Sequence, residues 1–238
     1  MRQVPHYLLI GNGRIARHLR HYLTLLDLPF ATWHRAEPIS TLEQKAATAS
    51  HILLLISDQS IEPFIKRHLT GTDATLVHFS GNLVSAHAHG THPLMTFADT
   101  LYDLECYRSV PFITDADAPA FNQLLPGLPN THFRLDKTLK PKYHALCVMA
   151  GNFSSLLWQK LFSAFEQELG LPGSIANPYL LKMAHNLATN PNAALTGPLV
   201  RGDTQTIQNN LTALSKDPFQ PIYQSFVDCY QRQQEEPT

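Results

Sequence analysis

Residues 7–16 read Tyr-Leu-Leu-Ile-Gly-Asn-Gly-Arg-Ile-Ala, and this stretch decides the fold. Tyr7 to Ile10 is a short apolar run, the candidate first strand. Gly11-Asn12-Gly13-Arg14-Ile15-Ala16 then has the form GxGxxA, and from Arg14 to Leu26 the residues Ile15, Leu19, Tyr22, Leu23 and Leu26 fall on one helical face. In this setting Gly11 permits a tight turn and Gly13 lets backbone approach a pyrophosphate. Ala16 keeps helix and strand close. The turn at Asn12 and the first helical N–H groups, those of Arg14 and Ile15, would hold the phosphates with the helix dipole. The competing reading is an ordinary βα turn with chance glycines; strand, spacing and amphipathic helix together weigh against it. Residues 1–35 therefore read as the opening of a dinucleotide-binding Rossmann unit.

The next strand, Phe30 to His34, selects the cofactor. A carboxylate about 20 residues after the glycines would bind a ribose 2′-OH and favour NAD. Here Trp33-His34-Arg35 stands at that place, with no acid until Glu37. Arg35 suits a 2′-phosphate and can stack on adenine, with His34 a second donor, so NADP is expected over NAD. The alternative is a solvent-exposed basic turn. An S-adenosylmethionine methyltransferase also uses a GxG turn, but Arg35 stands where such an enzyme would need an acidic ribose ligand.

Outward from this unit, apolar runs alternate with helical stretches. Strands are expected at 51–56, 75–79, 110–114 and near 131–133, with helices at 61–69 and 118–125. The third strand, His51 to Ile56, is nearly continuous hydrophobe, as befits burial on both faces. Near residue 136 strands give way to helical periodicity. A long helix is expected from Tyr143 to Leu169, stopped by Gly170 and Pro172. Another should run from Asn177-Pro178 to about Asn190. Asp203 can cap a helix ending near Lys216, Pro218 can start the last one, and the tail from Gln231 reads as frayed. The fold class is thus α/β: a Rossmann doubly wound, mainly parallel sheet over 1–136, followed by an all-α C-terminal domain over 137–238.

Eighteen basic residues against nineteen acidic ones leave a net charge of −1, which gives no electrostatic case for nucleic acid or an anionic membrane. Three scattered cysteines, Cys106, Cys147 and Cys229, argue against a disulfide framework or CxxC zinc site. The apolar run Tyr7–Ile10 is too short for a signal peptide or a span, so a soluble, cytoplasmic protein is expected. His87, His89 and His92 match no strong zinc spacing and read as a loop cluster without metal, with His92-Pro93 shaping a loop near the cofactor.

Taken together, GNGRIA at 11–16, ISDQSI at 56–61, HFSG at 78–81, HPLMTF at 92–97, YHALCVMAGN at 143–152 and LTGPLVRGD at 195–203 carry a resemblance. The chain resembles a family of oxidoreductases that join a Rossmann-like domain to a helical C-terminal domain of unknown function. Its relatives are ketopantoate reductase, pyrroline-5-carboxylate reductase, and the β-hydroxyacid and 6-phosphogluconate dehydrogenases. Two positions depart from the family's pattern: Ile56 stands in place of a frequent proline, and Gly151 in place of a frequent serine. The resemblance implies a C-terminal domain like that of 6-phosphogluconate dehydrogenase, NAD(P) binding, hydride-transfer machinery and a homodimer. It supplies no substrate.

In doubly wound sheets the ligand lies beyond the carboxyl ends of the strands. Ser57-Asp58 follows the third strand and Ser80-Gly81-Asn82 the fourth, so both pairs should border the nicotinamide ribose or the substrate. Asp58 could equally cap the helix that follows. His144 is the expected proton donor or acceptor, and Asn152, eight residues on and offset by about 80° on an α-helix, would orient the substrate. A histidine bonded locally at the helix start is the rival reading. Thr196 and Arg201 lie in the turn before another helix, where Arg201 could clamp a substrate carboxylate or cross a dimer interface. Alternatively, Arg201 and Asp203 only shape that turn. The expected function is an NADP-dependent oxidoreductase transferring hydride to or from a small carbonyl, imine or hydroxyacid in the cleft between the domains. The other possibility is a non-catalytic NADP-binding sensor or scaffold.

Overall fold

The structure, a computed structural model, describes residues 5–235; Met1–Val4 and residues 236–238 lie outside the described residues. Chain contacts separate two compact units between Leu156 and Leu157. The first is built on a seven-stranded sheet with order β2-β1-β3-β4-β5-β6-β7, comprising β1 (Tyr7–Ile10), β2 (Phe30–Trp33), β3 (His51–Leu54), β4 (Thr75–His78), β5 (His89–Pro93), β6 (Phe112–Asp115) and β7 (His132–Leu135). All neighbouring strands run parallel except β5 and β6, which are antiparallel. Helices α1 (Arg14–Leu25), α2 (Ile39–Ala46), α3 (Asp58–His68), α4 (Leu104–Ser109) and α5 (Phe121–Leu124) connect them. This is the mainly parallel, helix-covered sheet expected from the sequence.

The burial follows the pattern of residues. Tyr7, Leu8, Leu9 and Ile10 are all buried, so β1 is covered on both faces. Leu9 and Tyr7 join α1 residues Ala16, Leu19 and Leu23 in one core cluster. Leu8 and Ile10 join Trp33, Leu42 and Ile61 in the other.

The first unit continues into α6 (Lys140–Cys147), a π-helical segment at Val148–Phe153, and the start of α7 (Ser154–Gln167). The second unit holds the rest of α7, α8 (Asn177–Thr189), α9 (Pro191–Ala194), α10 (Pro198–Arg201), α11 (Thr204–Ala213) and α12 (Gln220–Glu235). Asp203 caps α11 as expected, accepting from Thr206 N–H. The tail expected to fray from Gln231 is instead helical as far as Glu235.

Strand β5 is the main departure. Its sequence, His-Gly-Thr-His-Pro, carries no alternating apolar signal, and a loop was the expectation there. Neighbours on both sides make it a strand. His78 of β4 pairs with Gly90, and the antiparallel register Thr91–Thr114 sets Gly90 opposite Asp115. Gly90 N–H donates to Asp115 Oδ2 at 2.8 Å, while Asp115 Oδ1 takes Lys140 Nζ at 2.8 Å. A side chain at Gly90 would collide with that ammonium. Both partners of the ion pair are nearly inaccessible, at 6% and 1%.

Removing Lys140 leaves the buried Asp115 carboxylate with only the longer contact to Lys137 Nζ, at 3.9 Å. We expect Lys140→Met to cost about 3–5 kcal/mol in urea unfolding, and the double change Lys140→Met with Asp115→Leu to recover most of it. Additive losses in the double variant would show that the pair is not the unit that matters.

Candidate functional site

The glycine turn has the shape of an anion cradle. Gly11 has φ +129°, and a Cβ there would overlap the Leu55 carbonyl, so only glycine fits. Its N–H donates to Trp33 O at 2.9 Å, which ties the turn to the end of β2. Gly13 is the N-cap residue of α1, no side chain caps the first turn, and nothing lies within 4 Å of where its Cβ would be. Arg14 is exposed at this end, its Nε 3.3 Å from Asp99 Oδ1. Ile15 is partly buried, and Ala16 is fully buried beneath the turn. Asn12 is exposed, and its Oδ1 accepts from Arg20 Nη2 at 2.9 Å.

Beyond β2, the acid Glu37 is committed within its own turn. One carboxylate oxygen accepts His34 N–H at 3.0 Å and the other pairs with Lys45 Nζ at 2.8 Å. The Lys45 hydrogen bond, with help from the His34 amide, holds this carboxyl below its usual range. The His34 ring stays in the turn, its Nδ1 accepting Ala36 N–H at 3.3 Å. Arg35 is exposed, and among the described residues it makes no ion pair. The residues present therefore fit a dinucleotide carrying a 2′-phosphate: an open phosphate turn, an uncommitted arginine and a neutralised acid.

A second cluster sits at the ends of β3, β4 and β5. Ser57 precedes α3 with its hydroxyl 2.7 Å from Ser60 Oγ, and Asp58 is the first helical residue rather than the cap. Ser80 Oγ donates to Asp58 Oδ2 at 2.5 Å and accepts from the N–H groups of Asn82 and Leu83. That hydroxyl is fully committed, and it fixes the turn carrying Gly81. A Cβ at Gly81 would lie 2.5 Å from His144 Cδ2 and 3.2 Å from His92 Nε2, so both imidazoles press on a bare backbone. The two rings meet edge to face with centroids 6.0 Å apart.

His92 belongs to β5, not to the loop expected of it. The strand fixes its direction, and its Nδ1 lies 2.8 Å from the Tyr143 hydroxyl. Burial, reinforced by His144 and Lys140, pushes His92 down to about 4. Burial pushes the Tyr143 hydroxyl well up. At neutral pH this pair is a neutral imidazole beside a protonated phenol. Tyr143 was overlooked in the sequence although it sits next to His144. Its only signal was membership of the same 143–152 stretch.

Asn152 lies in the π-helical segment, which changes the 80° offset counted on an α-helix. Hydrogen bonds closing over five residues widen the turn and rotate each residue by less than 100°, which moves Asn152 back toward the azimuth of His144. Thr196 and Arg201 lie in the second unit. Thr196 is exposed before α10, and Arg201 is its exposed last residue, with its charge helping to keep the Asp203 carboxyl low after the Thr206 hydrogen bonds. Of the three histidines at 87–92, His87 faces Glu62 at 3.6 Å and His89 starts β5. Among the described residues no group of histidine, cysteine or acidic side chains is placed to hold a metal, and no helix is long and apolar enough to cross a membrane.

A family model described as "Domain of unknown function (DUF2520)" matches residues 110–228. No curated protein sequence matches the chain. Among solved structures the fold is shared with BF3122, a candidate NADP oxidoreductase of Bacteroides fragilis, at 22% identity and a TM-score of 0.75 over 95% of this chain and 97% of that one. Protein TM1727 of Thermotoga maritima is similar at 22% identity and a TM-score of 0.67, with the same coverage of 95% and 97%. A reductive aminase of Aspergillus terreus, solved with NADPH and ethyl levulinate, superposes at 12% identity and a TM-score of 0.64 over 99% of this chain and 95% of that one.

Buried His78 and half-buried His92 give the site a pH signature. His78, inaccessible on β4 with neither ring nitrogen hydrogen-bonded among the described residues, is also pushed down to about 4, by burial and then by Lys140. An unfolded histidine takes its proton near pH 6.5, so these two favour the folded state fully above that value and lose the contribution as pH falls toward 4. Urea unfolding should weaken over that window by up to about 1.4 kcal/mol per pH unit for each histidine. His92→Gln should remove its share of the slope, and an unchanged slope in that variant would refute the assignment.

Proposed function

Because the chain belongs to the DUF2520 family, whose own description names no activity, we propose from its site that it is an NADP-dependent oxidoreductase acting on a small carbonyl, imine or hydroxyacid. The observation that carries this reading is the end of β2, where Glu37 is neutralised by Lys45 while Arg35 stands uncommitted beside the open Gly11–Gly13 turn. The reading is supported by the reductive aminase of similar fold solved with NADPH and by a pyrroline carboxylate reductase of Plasmodium falciparum solved with NADP.

In this proposal the amides of Arg14 and Ile15 and the Asn12 turn hold the pyrophosphate, and His34 and Arg35 hold the 2′-phosphate. Bound NADPH supplies the hydride. Ser57, Asp58 and Ser80 border the nicotinamide end, with Ser80 keeping Asp58 and the Gly81 backbone in place. With the Tyr143 hydroxyl donating to Nδ1, neutral His92 would carry its proton on Nε2 and offer that N–H to a substrate oxygen or nitrogen. His144 delivers the proton and Asn152 orients the substrate.

A second copy of the chain completes the proposal. Neither α7 nor α8 has a buried residue, and Tyr179 and Leu181 on α8 are 66% and 70% exposed. Among the described residues the buried cluster of the second unit is Ile207, Leu211 and Val227, with Leu199 and Tyr223 partly buried against it, too little to hold such helices in water by itself. An apolar face of this extent suits a homodimer partner.

Calorimetry should find NADPH binding at least about tenfold tighter than NADH, with Arg35→Ala removing most of that preference, as expected for one charge-assisted contact. Equal or better binding of NADH would reject the cofactor assignment. Light scattering should give twice the 26.7 kDa chain mass. Leu181→Glu should shift the protein toward monomer or insolubility, and a wild-type monomer would reject the pairing.

A further inference from the structure

The glycine turn is held by a residue outside its own motif. Arg20 lies two turns into α1, yet its Nη2 reaches back to Asn12 Oδ1 at 2.9 Å, which brings the guanidinium to the turn itself. The other α1 arginines behave differently. Arg14 and Arg17 both lean on Asp99, at 3.3 and 4.0 Å. Among the described residues Arg20 has no carboxylate partner, only the neutral amide of Asn12. A guanidinium presents five donors in a rigid fork, and Asn12 uses one.

The location says what the remaining donors could serve. Ile10 is paired with Trp33, and Gly11 N–H bonds Trp33 O at 2.9 Å. Asn12 and the His34-Arg35 turn are thus continuations of two paired strands at the same end of the sheet. Arg35 carries no ion pair among the described residues, and the one acid of its turn, Glu37, is engaged by Lys45. Two cations without carboxylates therefore border one turn whose glycines leave it open.

We propose that Arg20, held in place by Asn12, is the second arginine of a clamp that closes with Arg35 on a 2′-phosphate. This inference rests on the cofactor reading above and assigns part of the nucleotide selectivity to a residue that the glycine motif does not include. The clamp acts by binding alone: a dianionic phosphate monoester accepts from two guanidinium forks, and no bond is made or broken.

The test is calorimetry on the full-length chain with NADPH, NADH and adenosine 2′,5′-bisphosphate, using Arg20→Ala and Arg20→Gln. The glutamine keeps an amide donor for Asn12 and lacks the charge. Both variants should lose about tenfold or more in affinity for NADPH and for the bisphosphate, and stay within about twofold of wild type for NADH. Wild-type NADPH affinity in Arg20→Gln would overturn the inference, since Arg20 would then only brace the turn. Equal losses for NADPH and NADH would overturn it as well, by placing Arg20 on the shared pyrophosphate. A wild-type protein that binds none of the three probes would overturn the cofactor reading itself, and the clamp with it.

Discussion

The buried pair of Lys140 and Asp115 is the contact on which the arrangement of the second cluster depends. Asp115 ends β6, Lys140 begins α6, and their charges meet at 2.8 Å over the space left by Gly90. Because an isolated buried charge is so costly, the first turn of α6 cannot slide along the sheet without breaking the pair. Tyr143 and His144 follow within one turn of Lys140. Pinning Lys140 therefore sets Tyr143 against His92, and His144 against Gly81. A glycine in the middle of a strand would ordinarily weaken it. Here the missing side chain is what lets a helix dock by its charge.

Much of the fold was legible because local and global preferences agree. Tyr7–Ile10, the glycine turn and α1 announce themselves by periodicity, by a φ that only glycine adopts comfortably, and by an apolar helical stripe, and all three fall where the sequence places them. The Asp203 cap was readable for the same reason, since a capping carboxylate acts within three residues of itself. Strand β5 was not legible. His89, Gly90 and Pro93 are poor strand formers, and only hydrogen bonds from β4 and β6 and the Asp115 carboxylate make them one. The π-helical segment was equally hidden, because nothing in Val148–Phe153 marks a widened turn.

The site residues divide along the same line. The glycines and Arg35 could be found because their chemistry is local to one turn. His92 could be noticed but not understood, because its meaning lies in Tyr143, fifty-one residues away, and in Gly81 in the turn after β4. Arg20 gave no signal at all. Its role comes from a side chain folding back along its own helix, and periodicity registers that position only as an exposed polar face.

The two ends of the proposed site differ in electrostatics, and that difference follows from burial. At the β1–β2 end Arg35 is exposed and Arg20 half-buried, and neither has a carboxylate partner among the described residues. They can exchange water for phosphate at modest cost, which suits recognition of a charged group. At the β4–β5 end burial keeps His92 neutral and Tyr143 protonated, and the one buried cation, Lys140, is already matched by Asp115. A developing negative charge there would meet hydrogen-bond donors in a poorly solvated setting, where donors act more strongly than in water. Binding by charge at one end and by oriented neutral groups at the other is what a reductase needs. The nucleotide must be held throughout the reaction, whereas the substrate's polar atom needs most help as the hydride arrives.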